Sequence, residues 1–455
     1  MSDLSHASPS FDSQSSQSPL TWLSSPLALT VFVAAVTGLL FFVAEHNVAM
    51  SKTAAFVENI EEQESWSAGG NKLRQVSFIG VAFVGAMSLL LGRKGSFRLN
   101  LPVLLVAVYV LWAGVSAVWS IDPGTSVRRY FVIVCCIVGC FGFSRFLKIE
   151  DAVFAAVIVS AGYLMLGVAA ELLFGTFRPH VGDYRFAGTI HPNNQGANLA
   201  IGSLAAFTMA KIKPKFKTAF YFVFCVLFLF LVMTKCRSAT GTVPVTLGVI
   251  WLISQSKRNI VVGTLIAFWF VSSIGLFFIV TGFDPISEYQ ELLLLGRGEE
   301  TGSSLTGRLP LWQDLSVYIQ VRPWQGHGYG AFWTPRHIYE IAVSQEWVIS
   351  EAHSSYIDAV LQLGIIGAIL MALAEIATFL FAAITFRITK QPAYLFLAGG
   401  TFFCLVRGFT ESGLGDPAAI SAFLFISLAA HTWNGRQKKL IDTDNSVNDH
   451  LQLTP

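Results

Sequence analysis

The stretch "EAHSSYIDAVLQLGIIGAILMALAEIATFLF" at residues 351–381 runs from a polar start directly into a long apolar segment. The apolar part, residues 361–381, contains one charged side chain, Glu375. About 20 apolar residues are needed for a helix to cross the hydrocarbon core of a bilayer. The stretch therefore predicts a transmembrane helix with His353 near its N-terminal end, at the water interface.

The composition extends this reading to most of the chain. Of 455 residues, 53% are hydrophobic and 13% are charged, whereas a soluble domain has about a quarter of its residues charged. The net charge of +2 gives no sign of a nucleic-acid partner. The six cysteines show no metal-ligand spacing and are expected to be small buried hydrophobes.

Hydropathy predicts an all-α polytopic membrane protein with about twelve transmembrane helices. The expected cores are residues 27–44, 75–92, 101–119, 130–143, 153–174, 193–210, 218–234, 239–254, 260–280, 361–381, 392–406 and 414–430. The resulting organisation is a disordered cytoplasmic tail (1–26), helices one to nine (27–281), a long periplasmic loop with short amphipathic helices (282–353), helices ten to twelve (354–433) and a cytoplasmic tail (434–455). The Ser-rich start has no Lys or Arg, so it does not resemble a cleavable signal peptide.

The basic residues set the expected orientation. Lysine and arginine in short loops mark the cytoplasmic side of a membrane protein, and every inside loop of the twelve-helix arrangement is basic when both termini are cytoplasmic. The basic residues expected on the non-cytoplasmic side differ in type, because eleven are arginines and only three are lysines, Lys52, Lys72 and Lys235. The arginine fork matches phosphate and carboxylate oxygens bidentately. We therefore expect an anionic ligand on the outer face, the alternative being arginines that pair with nearby acids.

The long outer loop has its own local structure. The segment "RLPLWQDLSVYIQ" (308–320) spaces apolar residues for an amphipathic helix lying on the membrane surface, and "PRHIYEIAVSQEWV" (335–348) predicts another short helix. Between them, "RPWQGHGYGAFW" (322–333) indicates a tight, aromatic-lined turn. Its three glycines follow no strand and open no helix, which argues against a nucleotide-binding loop.

His353 is the candidate catalytic base of the outer face. A neutral imidazole can accept a proton from a sugar hydroxyl, and Glu351 is close enough in sequence to orient it. The positive end of the following helix dipole favours the neutral form. The alternative is an interfacial histidine that only caps the helix.

Two further turns on the outer side carry arginines. "HVGDYRFAGTIHPNNQGANLA" (180–200) contains Arg185, His191 and Asn193, and "TKCRSATGT" (234–242) contains Arg237. Helix N-termini already favour phosphate, so both arginines are candidates for holding one, whereas His191 is expected to be a turn or capping residue. No carboxylate pair has the placement of a glycosidase, and no Cys/His cluster suggests zinc.

Taken in order, "RFAGTIHPNNQGANLA", "TKCRSATG", "TGRLPLW", "GHGYGAFW" and "EAHSSYIDAVLQLGIIG" resemble the O-antigen ligase and polymerase family of membrane glycosyltransferases. The resemblance covers about residues 185–370. It implies a fold like the C-type membrane glycosyltransferases and a multi-pass protein of the bacterial inner membrane with its site facing the periplasm. It also implies an inverting transfer, without metal or other cofactor, of a glycan from undecaprenyl diphosphate to an acceptor hydroxyl on a glycan, lipid or protein.

The resemblance also assigns roles to residues. The family's two diphosphate-binding arginines fall on Arg185 and Arg237, its outer-loop arginine on Arg308 and its loop histidine on His353. Glu351 and Asn193 join these as expected substrate-binding residues. Many relatives have asparagine after the histidine, where this chain has Ser354.

Two alternatives stay open at the level of sequence. A ligase and a polymerase differ only in the acceptor, so the residues do not distinguish them. The rival from another class is a transporter or flippase of lipid-linked sugars without transferase activity. Such proteins often have paired repeats with binding sites at the bilayer midplane, whereas here the polar residues cluster at the outer surface.

Overall fold

The computed structural model describes residues 26–47, 72–91, 97–182, 184–256, 258–259, 272, 304–345, 349–413, 415 and 417–433. All regular structure in these ranges is helical. The helices named in this account are α1 Pro26–Glu45, α2 Lys72–Leu91, α3 Leu101–Val115, α4 Pro123–Phe143, α5 Ile149–Leu173, α6 Pro192–Ile212, α7 Lys217–Met233, α8 Arg237–Ser254, α9 Ser304–Val321, α10 Pro335–Gln345, α11 Ser355–Thr389, α12 Ala393–Arg407 and α13 Ala419–Trp433.

The helices agree with the predicted spans wherever the two can be compared. Eleven of the twelve expected cores fall on α1 to α8 and α11 to α13, while the ninth, residues 260–280, lies outside the described residues. Seven helical segments are long and apolar enough to cross a membrane, and α12 and α13 are apolar but shorter. The protein is therefore an all-helical membrane protein with several spans, and the count of twelve stays a prediction.

Local sequence signals explain where several helices begin. The side chain of Asn100 accepts the Val103 N–H at 3.0 Å at the start of α3. Asp122 accepts the Thr125 N–H at 3.1 Å at the start of α4, which opens with Pro123. Both patterns satisfy an N–H group that has no partner inside the helix, and proline is well tolerated in the first turn.

Helix α6 lies at the centre of the bundle and is buried on nearly all sides. It contacts α5, α7, α8 and α12, and small side chains such as Ala200, Ser203 and Ala205 let these neighbours approach closely. The helix begins at Pro192, directly after the turn that contains Arg185 and His191. The central helix α6 therefore fixes the position of this turn at one end of the bundle.

The outer loop contains a small hydrophobic core of its own. Leu311 and Leu315 of α9 pack with Ile338 and Ile341 of α10 and with Phe332 between them. The expected helix at residues 308–320 is thus present, as is the short helix at 335–345. Leu309, Val317 and Val321 of α9 are exposed, and a position of this helix on the membrane surface stays a prediction. The two helices form a folded cap on the start of α11.

The glycine-rich turn anchors this cap in a break of α11. Gly364, with φ +70°, interrupts α11. At this break the Ile365 N–H donates to the Pro323 carbonyl at 2.8 Å, and the His327 N–H donates to the Leu361 carbonyl at 2.9 Å. The turn needs glycine because φ is positive at residues 326, 328 and 330. The outer loop is therefore fixed to the same helix that follows His353.

Candidate active site

His353 lies in the turn immediately before α11 and has an unusual backbone. Its φ of +51° is in the left-handed region, which is uncommon for a residue other than glycine. Its Nδ1 lies 3.0 Å from Oε1 of Glu351, and the two side chains are 21% and 47% exposed. Backbone strain of this kind persists where surrounding contacts impose it and often marks a functional position.

The electrostatics of His353 differ from the expectation based on the helix dipole. Burial alone would lower the pKa of His353, but its contact with Glu351 and the nearby carboxylate of Glu411 outweigh burial and raise the pKa above the usual value. Partial burial would raise the pKa of Glu351, yet His353 and the more distant His191 and Arg407 keep it below the usual value. The pair therefore favours the imidazolium form of His353 and the carboxylate form of Glu351. A helix N-terminus alone would instead disfavour the imidazolium.

Arg185 is held by groups from two other elements. Its Nε donates to the Thr234 carbonyl at 3.0 Å, and its Nη2 donates to Oδ1 of Asn193 at 2.9 Å. Asn193 belongs to the first turn of α6, and Thr234 follows α7. The guanidinium is therefore oriented before any ligand binds, which lowers the cost of organising it around an anion.

The loop around Arg185 is itself held by Glu171 at the end of α5. Glu171 is 3% exposed. Its Oε1 accepts the N–H groups of Ala187 and Gly188 at 3.0 and 2.7 Å, and its Oε2 accepts the Tyr184 hydroxyl at 2.5 Å. The Glu171 carboxylate thus supports the arginine loop.

Replacing Glu171 with leucine should destabilise this loop. The change leaves two buried backbone N–H groups without an acceptor, at about 1–3 kcal/mol each. Hydrogen exchange at Ala187 and Gly188 should become faster, while Glu171→Gln, which keeps one carbonyl acceptor, should have a smaller effect. Unchanged exchange in the leucine variant would show that the carboxylate does not hold the loop.

Glu411, which follows α12, connects most of the remaining site residues. Its carboxylate accepts Nδ2 of Asn193 at 3.2 Å and the Ser238 hydroxyl at 3.3 Å. Nη2 of Arg308 lies 3.4 Å from Oε1 in an ion pair in which both side chains are mostly buried. Its backbone carbonyl accepts the Ser355 hydroxyl at 2.8 Å. Glu411 thus joins α6, α8 and α9 through its carboxylate and α11 through its backbone carbonyl.

Arg237 is the first residue of α8. It precedes Ser238, whose hydroxyl donates to Glu411. The turn before it is fixed by the Cys236 N–H, which donates to Oγ1 of Thr234 at 3.1 Å. Because Thr234 also accepts from Arg185, the two predicted arginines are attached to the same short turn.

The predicted residues are therefore brought together from distant parts of the chain. Arg185 contacts Asn193, and Glu411 in turn accepts from both Asn193 and Arg308. One imidazole nitrogen of His353 and one carboxylate oxygen each of Glu351 and Glu411 lie within 4.8 Å of one another. The sequence reading missed Glu411. It also missed Arg407, whose Nη2 donates to the Asn193 carbonyl at 3.4 Å. Both lie near the outer end of a predicted span, but nothing in their local sequence marks them as site residues.

The same side chains include the donor types that a divalent cation uses. One imidazole and two carboxylates could provide three ligands. In the structure, however, these groups already serve one another: Glu351 contacts His353, and Glu411 accepts from Asn193, Ser238 and Arg308. That the enzyme works without a metal stays a prediction, which transfer activity in the presence of EDTA would test.

Ser354 is buried and ties the histidine turn to the end of α12. Its hydroxyl donates to the Gly408 carbonyl at 3.3 Å, and the side chain is 3% exposed. The neighbouring Ser355 N–H donates to the same carbonyl at 2.9 Å. In this chain the position contributes to packing of the turn.

Comparison with known proteins adds independent information. Residues 221–372 match a family model described as O-antigen ligase, and this range contains Arg237, Arg308, Glu351 and His353. The chain is also 24% identical over 367 residues to the exopolysaccharide production protein ExoQ of Rhizobium meliloti strain 1021, a match that covers 74% of this chain and 78% of that protein.

Proposed function

Because the chain belongs to the O-antigen ligase and polymerase family and thus to the enzymes of polysaccharide biosynthesis, we propose that it transfers a glycan from undecaprenyl diphosphate to an acceptor hydroxyl. The reaction takes place at the periplasmic face of the bacterial inner membrane. The observation that supports the proposal is the set of contacts around Glu411, which joins Asn193, the partner of Arg185, to Arg308 and lies close to the His353–Glu351 pair. Arg237 begins the helix whose next residue, Ser238, donates to Glu411.

The arginines suit the leaving group of this reaction. When the bond between the anomeric carbon and the diphosphate oxygen breaks, negative charge grows on the diphosphate. The Arg185 guanidinium, already oriented by Thr234 and Asn193, can stabilise that charge in the transition state without reorganising, and Arg237 on the same turn would add a second positive charge. Arg308 is linked to Arg185 by hydrogen bonds that run through Glu411 and Asn193. In the proposed complex it would extend the basic surface on which the donor rests.

The imidazole suits the nucleophile. The acceptor hydroxyl attacks the anomeric carbon, its proton passes to His353, and the diphosphate leaves on its lipid carrier. Attack opposite the leaving group inverts the anomeric centre. Glu351 contacts Nδ1, so Nε2 would take the proton, and Glu351 would stabilise the imidazolium that forms.

The rise in transfer rate on the acid side of the pH–rate profile should follow the deprotonation of His353. The base must be neutral to act, and its raised pKa places the rise in rate above pH ~6.5, the ordinary value for histidine. Glu351→Gln removes a carboxylate that raises this pKa, so the rise should move to lower pH. The control is Glu340→Gln, an outer-loop acid paired with Arg336. An identical profile for Glu351→Gln and the unaltered protein would contradict the assignment.

The direct test is transfer by the purified protein in lipid nanodiscs. A labelled oligosaccharide on undecaprenyl diphosphate is supplied with a second carrier-linked glycan, a lipid acceptor or a protein acceptor, and the product is identified. Transfer to carrier-linked glycan indicates a polymerase, and transfer to the other acceptors indicates a ligase. Activity should survive EDTA. Translocation of the labelled lipid in vesicles without any transfer would contradict the proposal and favour a flippase.

A further inference from the structure

A second cavity lies on the outer side, at the junction of α4 with the segment that leads into α10. Its volume is about 330 Å³, within the range of small-molecule sites. The side chains that define it are those of Asp122, Thr125, Arg128, Trp333 and Thr334. None of these residues takes part in the site described above.

The lining has the chemistry of a site for a sugar. Trp333 offers an aromatic surface, and Thr125 and Thr334 offer hydroxyl groups. Asp122 accepts the hydroxyl and the N–H of Thr125 at 2.6 and 3.1 Å, and these hydrogen bonds keep the pKa of Asp122 below its usual value. An ionised carboxylate beside an aromatic face and hydroxyl groups can accept the hydroxyls of a saccharide.

Arg128 gives the cavity its selectivity for charge. Its Nη2 donates to Oγ1 of Thr125 at 2.8 Å. The Asp122 carboxylate interacts with it electrostatically, but within the described part of the chain no carboxylate lies close enough to form an ion pair with it. A guanidinium has five N–H donors in a planar fork that suits a carboxylate. The group that completes its environment is therefore expected to be an anion brought by the ligand.

The cavity is connected to the histidine turn through Trp333. The Trp333 Nε1–H donates to Oδ1 of Asp358 at 2.9 Å, and the same oxygen accepts the Ala352 N–H at 3.2 Å. Ala352 directly precedes His353. A ligand that contacts Trp333 is thus separated from the backbone of the proposed base by two hydrogen bonds, on elements that do not carry Arg185 or Arg237.

We propose that this cavity is an acceptor subsite that binds a carboxylate-bearing sugar unit, with Arg128 on the carboxylate and Trp333 and Asp122 on the sugar ring and its hydroxyls. The role as an acceptor subsite rests on the proposed function. Binding of an acidic saccharide does not, and it can be measured without any transfer.

The binding test uses the purified full chain and two defined probes. Tetragalacturonate is acidic, and maltotetraose is a neutral saccharide of the same length. Calorimetry on the unaltered protein and on His353→Ala should show tetragalacturonate binding in both, with maltotetraose at least tenfold weaker. Arg128→Ala should weaken tetragalacturonate binding by about 10- to 100-fold, as expected for a lost charge-assisted contact. Arg128→Lys, which keeps the charge without the fork, should be intermediate.

The matched control is Arg336→Ala, an exposed arginine of the same outer loop that lies outside the cavity. It should bind tetragalacturonate like the unaltered protein. In the transfer assay with an acidic acceptor, Arg128→Ala should raise KM for the acceptor while leaving KM for the donor and kcat near their original values. No preference for the acidic probe, or equal binding by Arg128→Ala, would overturn the subsite. Binding without any transfer would overturn only the acceptor role.

Discussion

His353→Ala is expected to lower the rate of glycan transfer by about 100- to 10,000-fold, the range that general acid–base catalysis supplies. The substitution removes the group that takes the proton from the attacking hydroxyl, while the arginines that contact the donor remain. KM for the donor should therefore change little and kcat should fall. The measurement is the initial rate with purified protein in nanodiscs at saturating donor.

The control for this variant is His180→Ala. His180 is an exposed residue of the loop that also contains Arg185. This substitution should leave the rate unchanged. A rate near that of the unaltered protein for His353→Ala would mean that another group takes the proton or that the hydroxyl needs no base.

Arg237→Ala should have an effect of similar size, about 100- to 1,000-fold on kcat, because in the proposed reaction it removes a guanidinium that stabilises the charge developing on the diphosphate. Arg237→Lys should recover only part of the rate, since an ammonium keeps the charge but not the planar fork. The same loss is expected for Arg185→Ala. That variant also breaks hydrogen bonds to Thr234 and Asn193, so its loss of rate includes the effect of a displaced turn.

Arg178→Ala is the matched control, an exposed arginine of the loop before Arg185 whose Nε donates to the Gly175 carbonyl at 3.2 Å. It should transfer glycan at the original rate. If Arg237→Lys were fully active, a point charge would suffice and bidentate recognition would not be needed. If Arg237→Ala were fully active, the arginine would have no part in the reaction.

Hydropathy located the helices well because each span is a local property of the chain. Residues 361–381 are apolar enough to predict a crossing without knowledge of any neighbour, and α11 covers them. The glycines at 326, 328 and 330 likewise predicted a tight turn, because positive φ is a local requirement. The surface to which that turn attaches, the break at Gly364, depends on packing and was not visible in the sequence.

The site was only partly predictable for the same reason. The resemblance named Arg185, Arg237, Arg308 and His353, and the structure brings their elements together. Glu411 lies 218 residues from Asn193 along the chain, and only the packing of α12 against α6 makes them partners. No local spacing in the sequence signals such a contact.

The charge state of His353 shows most clearly what the sequence could not predict. A helix N-terminus by itself disfavours imidazolium, which is what the sequence predicted. The structure adds Glu411 to Glu351 near the ring, and the two carboxylates raise the pKa. A sequence-based argument contained one of these acids but had no means of placing the other.

The amphipathic segment at 308–320 gives a related lesson. Its apolar spacing predicted a helix correctly, but a spacing pattern does not identify what covers the apolar face. Leu311 and Leu315 are fully buried against the other outer-loop residues, whereas Leu309, Val317 and Val321 of the same helix are exposed. Part of the apolar spacing therefore serves a core within the loop, which no spacing pattern could reveal.

The most direct test of the account is the affinity of the purified protein for undecaprenyl diphosphate compared with undecaprenyl monophosphate. The account predicts that the unaltered protein and Arg336→Ala prefer the diphosphate, and that Arg185→Ala and Arg237→Ala each weaken its binding at least tenfold. Equal affinity of all four proteins for the diphosphate, or no preference of the unaltered protein for it, would contradict the claim that these two guanidinium groups bind the donor.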